Sequence, residues 1–297
     1  MIEGVMMRGP VKQAIVVKTK DGFVTKVEEL KLLKSKYPVL GFVFIRGVVN
    51  FISSMAVGMR AMTFSAEHFP EDEQEELSKF EIWLEQKFGS EKVEKAIFTL
   101  AIVLGIALSI GLFILTPTLL AGLVSKYIDN RILKNLFEGV LRIVIFLVYM
   151  WLATRLNDIK RVWAYHGAEH KAIFCYEKGL DLTLENVKEQ SRLHPRCGTS
   201  FLFIVMLVSI LVFSFTSWNN VWLRIVFRLS LLPVVVAISY EIIKLAGRYD
   251  NLPTRIVSAP GKALQRLTTR EPDDDMIETA IEALKLVIPD NAGEAEW

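Results

Sequence analysis

From Ala96 to Val124 the chain carries no charged side chain, a run of about thirty residues where some twenty suffice to cross a bilayer as helix. Inside hydrocarbon each backbone N–H and C=O must find its partner within the segment, so a run of this kind folds as a helix and marks an integral membrane protein. Thr199 to Leu223 is a second uncharged run. Two further stretches are less pure. Glu138 and Arg142 stand one turn apart, where they can pair, before the uncharged Ile143 to Thr154, and Arg224 and Arg228 precede the uncharged Leu229 to Tyr240. The expected fold is mainly α, a polytopic helical membrane protein with about four transmembrane helices.

The loops orient those spans. Arg155, Lys160, Arg161, Lys171, Lys178, Lys188, Arg192 and Arg196 lie between the second and third spans, and the tail adds Lys244, Arg248, Arg255, Lys262, Arg266 and Arg270, whereas Ser217 to Val221 has no basic residue. The positive-inside tendency then puts both termini in the cytoplasm. Met1-Ile2-Glu3-Gly4 lacks the basic start and apolar core of a secretory signal, so insertion is expected through the first span. With 35 basic and 33 acidic residues spread along the chain, the net charge of +2 argues against a nucleic-acid partner and leaves the lipid bilayer as the expected one, with other membrane proteins or a second copy as further partners. Two cysteines, Cys175 and Cys197, are too few for a disulfide framework.

Six segments follow. Residues 1–38 hold a β-hairpin: β-prone runs around Ala14, Val16, Phe23, Val24 and Val27 flank Asp21-Gly22, a strong hairpin signal. Before it, Glu3 and Arg8 sit in an aperiodic start that either stays flexible or folds back onto a site. In 39–95, Val39 to Met62 is apolar but broken by Arg46, Asn50 and Arg60, and is read as an interfacial or re-entrant helix; Leu77 to Lys95 follows as an amphipathic helix. Residues 96–156 and 199–246 form two transmembrane hairpins. Between them lies a cytoplasmic segment, 157–198, and 247–297 is a cytoplasmic tail with an amphipathic helix over Met276–Val287 capped by Asp273, Asp274 and Asp275.

The chemistry concentrates in 157–198. His166, Glu169 and His170 form an H-x-x-E-H pattern, and at about 100° per residue the three share one helix face. Two imidazoles hold a zinc ion in that arrangement, and the carboxylate handles a proton from its water. The topology brings His194-Pro195-Arg196-Cys197 and Glu241 to the same membrane edge. His194 or Cys197 is expected to complete a metal set of His166, His170, His194 and Cys197, with Glu169 as the proton-transfer group and Glu241 as a second catalytic candidate or reserve ligand. Lys244 and Arg248, one and two turns beyond Glu241, offer it an ordinary ion pair instead. Cys175 falls on the opposite side of the helix and is read as packing. Arg8, Arg46, Arg196 and Arg248 are candidate contacts to substrate or lipid.

Glu3-Gly4-Val5-Met6-Met7-Arg8-Gly9, Arg46-Gly47-Val48, Tyr165-His166-Gly167-Ala168-Glu169-His170-Lys171, His194-Pro195-Arg196-Cys197-Gly198-Thr199-Ser200 and Thr268-Thr269-Arg270-Glu271-Pro272 together resemble the YqhQ-like family of bacterial multi-pass membrane proteins. The resemblance covers nearly the whole chain. It implies a location in the bacterial cytoplasmic (inner) membrane and supports a metal at His166, Glu169, His170, His194 and Cys197, since the family is described as predicted metal-dependent enzymes; it names no substrate. The expected activity is that of a zinc-dependent hydrolase, or one using another divalent transition metal, with its site at the cytoplasmic membrane face and a peptide or lipid-linked substrate. The alternative is a non-enzymatic assembly factor or scaffold in which a structural metal staples the loops.

Overall fold

The computed structural model describes residues 1–30, 37–68, 90–194, 197–215, 220–249 and 251–289. Its contacts divide the chain into two units, one made of Met1–Pro70, Tyr149–Ser209 and Leu232–Trp297, the other of Glu71–Val148 and Ile210–Leu231.

The first unit opens with an antiparallel sheet of three strands, β1 (Gly4–Arg8), β2 (Lys12–Thr19) and β3 (Gly22–Glu29), in that spatial order. The expected hairpin is β2–β3. Thr19 pairs with Gly22, so Lys20 and Asp21 form the two-residue turn and Gly22 follows it with φ at +125°, a conformation glycine reaches without steric cost. The aperiodic start supplies a third strand, because β1 pairs with β2 from Gly4↔Val17 to Arg8↔Gln13. β2 is buried on both faces. Ala14 and Val16 join Val5 and Met7 against α5 (Asn157–Glu177) and α10 (Asp274–Lys285), while Ile15 and Val17 pack with Ala61 and Phe64 of α1 (Ile45–Glu67).

Small residues let α5 approach this layer. Ala164, Ala168 and Ala172 recur every four positions and are buried, so its opposite face is free to carry the histidines. Helix α10 is the amphipathic helix expected in the tail: Asp273 accepts a bond from Met276 N at 3.0 Å, and Ile277, Ile281 and Leu284 are buried. The amphipathic helix expected over Leu77–Lys95 lies outside the described residues as far as Gly89.

The second unit contains α2 (Ser90–Ile110), a π-helical turn (Gly111–Leu115) and α3 (Thr116–Val124). Pro117 explains the turn. It has no N–H for the carbonyl of Phe113, and the helix widens locally so that Thr116 N bonds Gly111 O. Arg142 of α4 (Arg131–Ala153) donates Nε to the Phe113 carbonyl at 3.1 Å. On α4, Glu138 is 1% exposed. Its carboxylate takes both guanidinium arms of Arg228, the second at 2.8 Å, with Thr118 Oγ1 at 2.8 Å and Arg142 Nη2 at 3.4 Å. Arg224 reaches the Thr118 carbonyl at 3.1 Å, and the Arg142 and Arg228 guanidiniums lie 5.3 and 5.5 Å from the centre of the Phe213 ring. The pair read from the sequence as Glu138–Arg142 is thus part of a larger cluster, in which one buried carboxylate, Thr118 and the Phe113 carbonyl engage three guanidiniums that would be costly alone in hydrocarbon.

Among the described residues, three helices are long and apolar enough to cross a membrane: Thr99–Val124, Ile132–Ala153 and Trp222–Ala246. The uncharged run Thr199–Leu223 is not one helix, in keeping with the connection expected within it at Ser217–Val221. α7 (Thr199–Phe213) ends before it, and α8 (Val221–Arg248) starts afresh because Asn220 Oδ1 caps Trp222 N at 2.8 Å and Leu223 N at 3.2 Å. At 1.5 Å per residue the 15 residues of α7 cover about 22 Å, less than the roughly 30 Å of bilayer hydrocarbon. The remaining helices, α6 (Leu184–Lys188) and α9 (Leu252–Thr268), belong to the first unit.

Candidate metal centre

α5 presents His166 and His170 one turn apart, their ring centres 4.4 Å from each other. Cys197, just before α7, points its thiol at them. His166 Nε2 and Cys197 Sγ are 3.2 Å apart, and the three potential ligand atoms of His166, His170 and Cys197 lie within 4.8 Å of one another. Ligands around a tetrahedral zinc stand about 3.3–3.6 Å apart, given bonds of about 2.0–2.1 Å to nitrogen and about 2.3 Å to sulfur, so the His166–Cys197 separation is close to that range and wider ones would have to close by up to about 1 Å.

The backbone fixes the direction of each ring. His166 Nδ1 donates to Thr268 O at 2.8 Å, and His170 Nδ1 donates to Arg192 O at 2.6 Å. A carbonyl only accepts, which leaves each Nε2 for the cluster. This is the arrangement that metal-ligating histidines use to set tautomer and orientation. The peptide at Thr268 is in turn held close: Arg270 N donates to Trp163 O at 2.9 Å, and a Cβ at Gly167 would stand 2.1 Å from Arg270 O. Glycine is required there by the approach of the two backbones.

The electrostatics also suit a cation. Burial is the largest influence on both His166 and Cys197 and opposes charge on each, yet their contact prevails. His166 is raised to about 9 by Cys197 and Glu169, and Cys197 is lowered to about 5 by His166 and His170. The thiolate, the form that binds metal, is thereby favoured. Desolvation raises the Glu169 carboxyl above the ordinary carboxylate range, against the pull of His166 and His170. A carboxyl with raised proton affinity beside two imidazoles is equipped to take up and return a proton.

The other sequence candidates take different places. His194 is buried, but its Nε2 faces Glu177 Oε2 at 3.1 Å, its ring centre is 5.8 Å from that of His170, and it is not one of the three clustered ligands. Gln265 holds it there, accepting from His194 N at 2.8 Å and donating to His194 O at 2.7 Å. Glu241 pairs with Arg46, whose Nε donates to Oε1 at 2.7 Å while its Nη2 meets Oε2. Beside that pair a Cβ on Gly47 would meet Tyr240 Cβ at 2.9 Å, and Asn50 donates to the Tyr240 hydroxyl at 2.7 Å, so α1 and α8 are in direct contact. Arg8 is exposed at the end of β1. Arg248 lies over Tyr249, 5.8 Å from the ring centre, and Arg196 lies outside the described residues. Cys175 is fully buried in the core, as its place on α5 suggested.

Of the two alternatives open for the aperiodic start, Glu3 takes the one that folds back, while the partners contributed through backbone were missed from the sequence. Glu3 accepts from Arg161 Nη2 at 2.5 Å and from the Tyr165 hydroxyl at 3.1 Å, tying β1 to the helix of the histidines. The carbonyls of Arg192 and Thr268 leave no side-chain signal at all, although Thr268-Thr269-Arg270-Glu271 stood out as a motif.

The family described as "Protein of unknown function (DUF1385)" matches residues 42–290. The chain is also 34% identical over 290 residues to the uncharacterized protein YqhQ of Bacillus subtilis (strain 168), covering 95% of this chain and 89% of that relative. No solved structure matches it.

Proposed function

The chain belongs to the YqhQ-like family of unknown function (DUF1385), and we propose that it is a metal-dependent membrane hydrolase in which His166, His170 and Cys197 hold a zinc or other divalent transition-metal ion. The observation that carries this reading is the convergence of two carbonyl-oriented imidazoles on one cysteine sulfur. When bound, such an ion supplies a Lewis acid that polarises a carbonyl or phosphoryl oxygen and acidifies a coordinated water. Thr268 and Arg192 hold the rings, and Thr199, whose Oγ1 lies 3.3 Å from Cys197 Sγ, steadies the thiolate. Glu169 accepts the proton lost in the attack and returns it to the leaving group. The substrate is a peptide or a lipid-linked ester at the membrane edge. Three protein ligands would leave room for substrate or water on the ion, as in catalytic sites, whereas a structural staple would be closed by protein atoms. His194, turned to Glu177, favours the open version.

The contacts of the first unit support a site on the cytoplasmic face and four crossings. α5, which follows α4, packs against α10 in the tail, and Thr268 bonds His166, so the segments before α7 and after α8 share one side. If Trp222–Ala246 crosses the bilayer, the chain must cross once more before it, and α7 with its uncharged flank is the segment available. β1 and β2 pack on the same layer, which brings the amino-terminal part to that side as well. The basic loops make it the cytoplasm.

The test is elemental analysis of the purified protein with variants. About one transition-metal ion per chain is expected, lost in His166→Ala, His170→Ala and Cys197→Ala. Glu169→Gln should keep the ion while abolishing the protein's cellular role. A metal-free wild type with an intact Glu169→Gln phenotype overturns the reading.

A further inference from the structure

The first unit contains an open cavity of about 470 Å³ lined by Thr154, Arg192, Arg266, Thr269, Arg270 and Glu271. Its charge is unbalanced. Glu271, the acidic residue in the lining, is already shared between Arg192 Nε at 3.3 Å and the Lys171 ammonium at 3.0 Å. Arg270 donates Nη2 to the Thr154 carbonyl at 3.2 Å, and Arg266 is exposed with no ion-pair partner among the described residues. Of the three guanidiniums only Arg192 meets that carboxylate, and its Nη1 also turns to the Thr269 carbonyl and hydroxyl, so the charges of Arg266 and Arg270 are not balanced within the lining. Multiple guanidinium forks match a tetrahedral oxyanion, and the surplus exceeds what a single carboxylate would neutralise but suits a phosphate bearing nearly two charges. The volume lies in the range of small-molecule pockets, room for a phosphate with an attached group.

The position narrows the ligand. Thr154 directly follows Ala153, the last residue of the candidate span Ile132–Ala153, so one wall of the cavity stands where that span would meet the lipid headgroups. The cavity also adjoins the metal cluster through the backbone. Arg192, in the lining, carries the carbonyl that orients His170, and Thr268, which orients His166, immediately precedes Thr269. We propose that this cavity binds the phosphate of a lipid headgroup or of a free phosphate ester beside the histidine cluster. The site rests on the arginines and not on a bound metal.

Binding of dioctanoyl phosphatidic acid and of inorganic phosphate to the full chain, in micelles of a neutral detergent, tests it. Saturable binding of the lipid is expected, weakened at least fivefold by Arg266→Gln and by Arg270→Gln and unchanged by Lys285→Gln, an exposed position on α10 away from the cavity lining. Arg266 makes no ion pair among the described residues, so its variant remains informative if Arg270→Gln misfolds. Competition by inorganic phosphate identifies phosphate itself as the recognised group; lipid binding without competition identifies the headgroup in its lipid. Binding should survive EDTA, which keeps this result separate from any failure of the metal reading. No binding of either probe, no effect of the arginine variants, an equal effect of Lys285→Gln, or loss on EDTA treatment overturns the proposal.

Discussion

Gly167 shows how a residue without side-chain chemistry governs the site. Its Cα faces the carbonyl of Arg270 so closely that a Cβ would lie 2.1 Å from that oxygen, and both partners are backbone. Gly167→Ala must push the Thr268–Arg270 peptide away from α5, moving the carbonyl that orients His166. The expected outcome is a loss of about 1–3 kcal/mol of stability, typical of overpacking, together with reduced metal content. Thermal unfolding and elemental analysis of the one variant check both. Gly58→Ala, on α1, has open space at its Cβ and serves as the control. His166, Glu169 and His170 were legible because helical spacing alone puts them on one face. Cys197 was legible only as one of two alternatives, since nothing in His194-Pro195-Arg196-Cys197 says which side chain turns inward; Gln265, 71 positions from His194, makes that selection.

At the scale of elements, the spans are held by polar groups that a hydropathy profile counts against them. Glu138 on α4 joins Thr118 on α3 to Arg228 on α8, and Arg142 bonds the carbonyl that Pro117 leaves without its helical donor. Removing the carboxylate charge leaves buried guanidiniums uncompensated. Glu138→Gln is expected to destabilise the protein by about 3–5 kcal/mol, and Glu138→Asp by less, as read by thermal aggregation in detergent. An unchanged midpoint for Glu138→Gln would remove this account. The Arg46–Glu241 pair teaches a related lesson. From the sequence Glu241 had partners one and two turns away, Lys244 and Arg248, but a guanidinium 195 positions distant offers a two-pronged bond, and its geometry prevails over proximity in the chain.

For the whole molecule, tail, histidine helix and sheet pack within one unit, and the proposed topology, with the segments flanking the spans on one side of the membrane, is tested by fusions. Green fluorescent protein fused at either terminus should fluoresce, and alkaline phosphatase fused after Ser217 should be active; a dark carboxy-terminal fusion with inactive phosphatase would leave α7 on the near side of the membrane. By itself the sequence determined the class, because about thirty uncharged residues have no stable place outside lipid or a protein core, and it determined the β2–β3 hairpin, the amphipathic α10 and the histidine face, because period and turn chemistry are local. Tertiary structure alone decided the third strand, the exchange of partners at Glu241 and the choice of Cys197 over His194 for the cluster. Each of these depends on which distant group arrives to satisfy a buried polar atom, and neither local periodicity nor composition encodes that arrival.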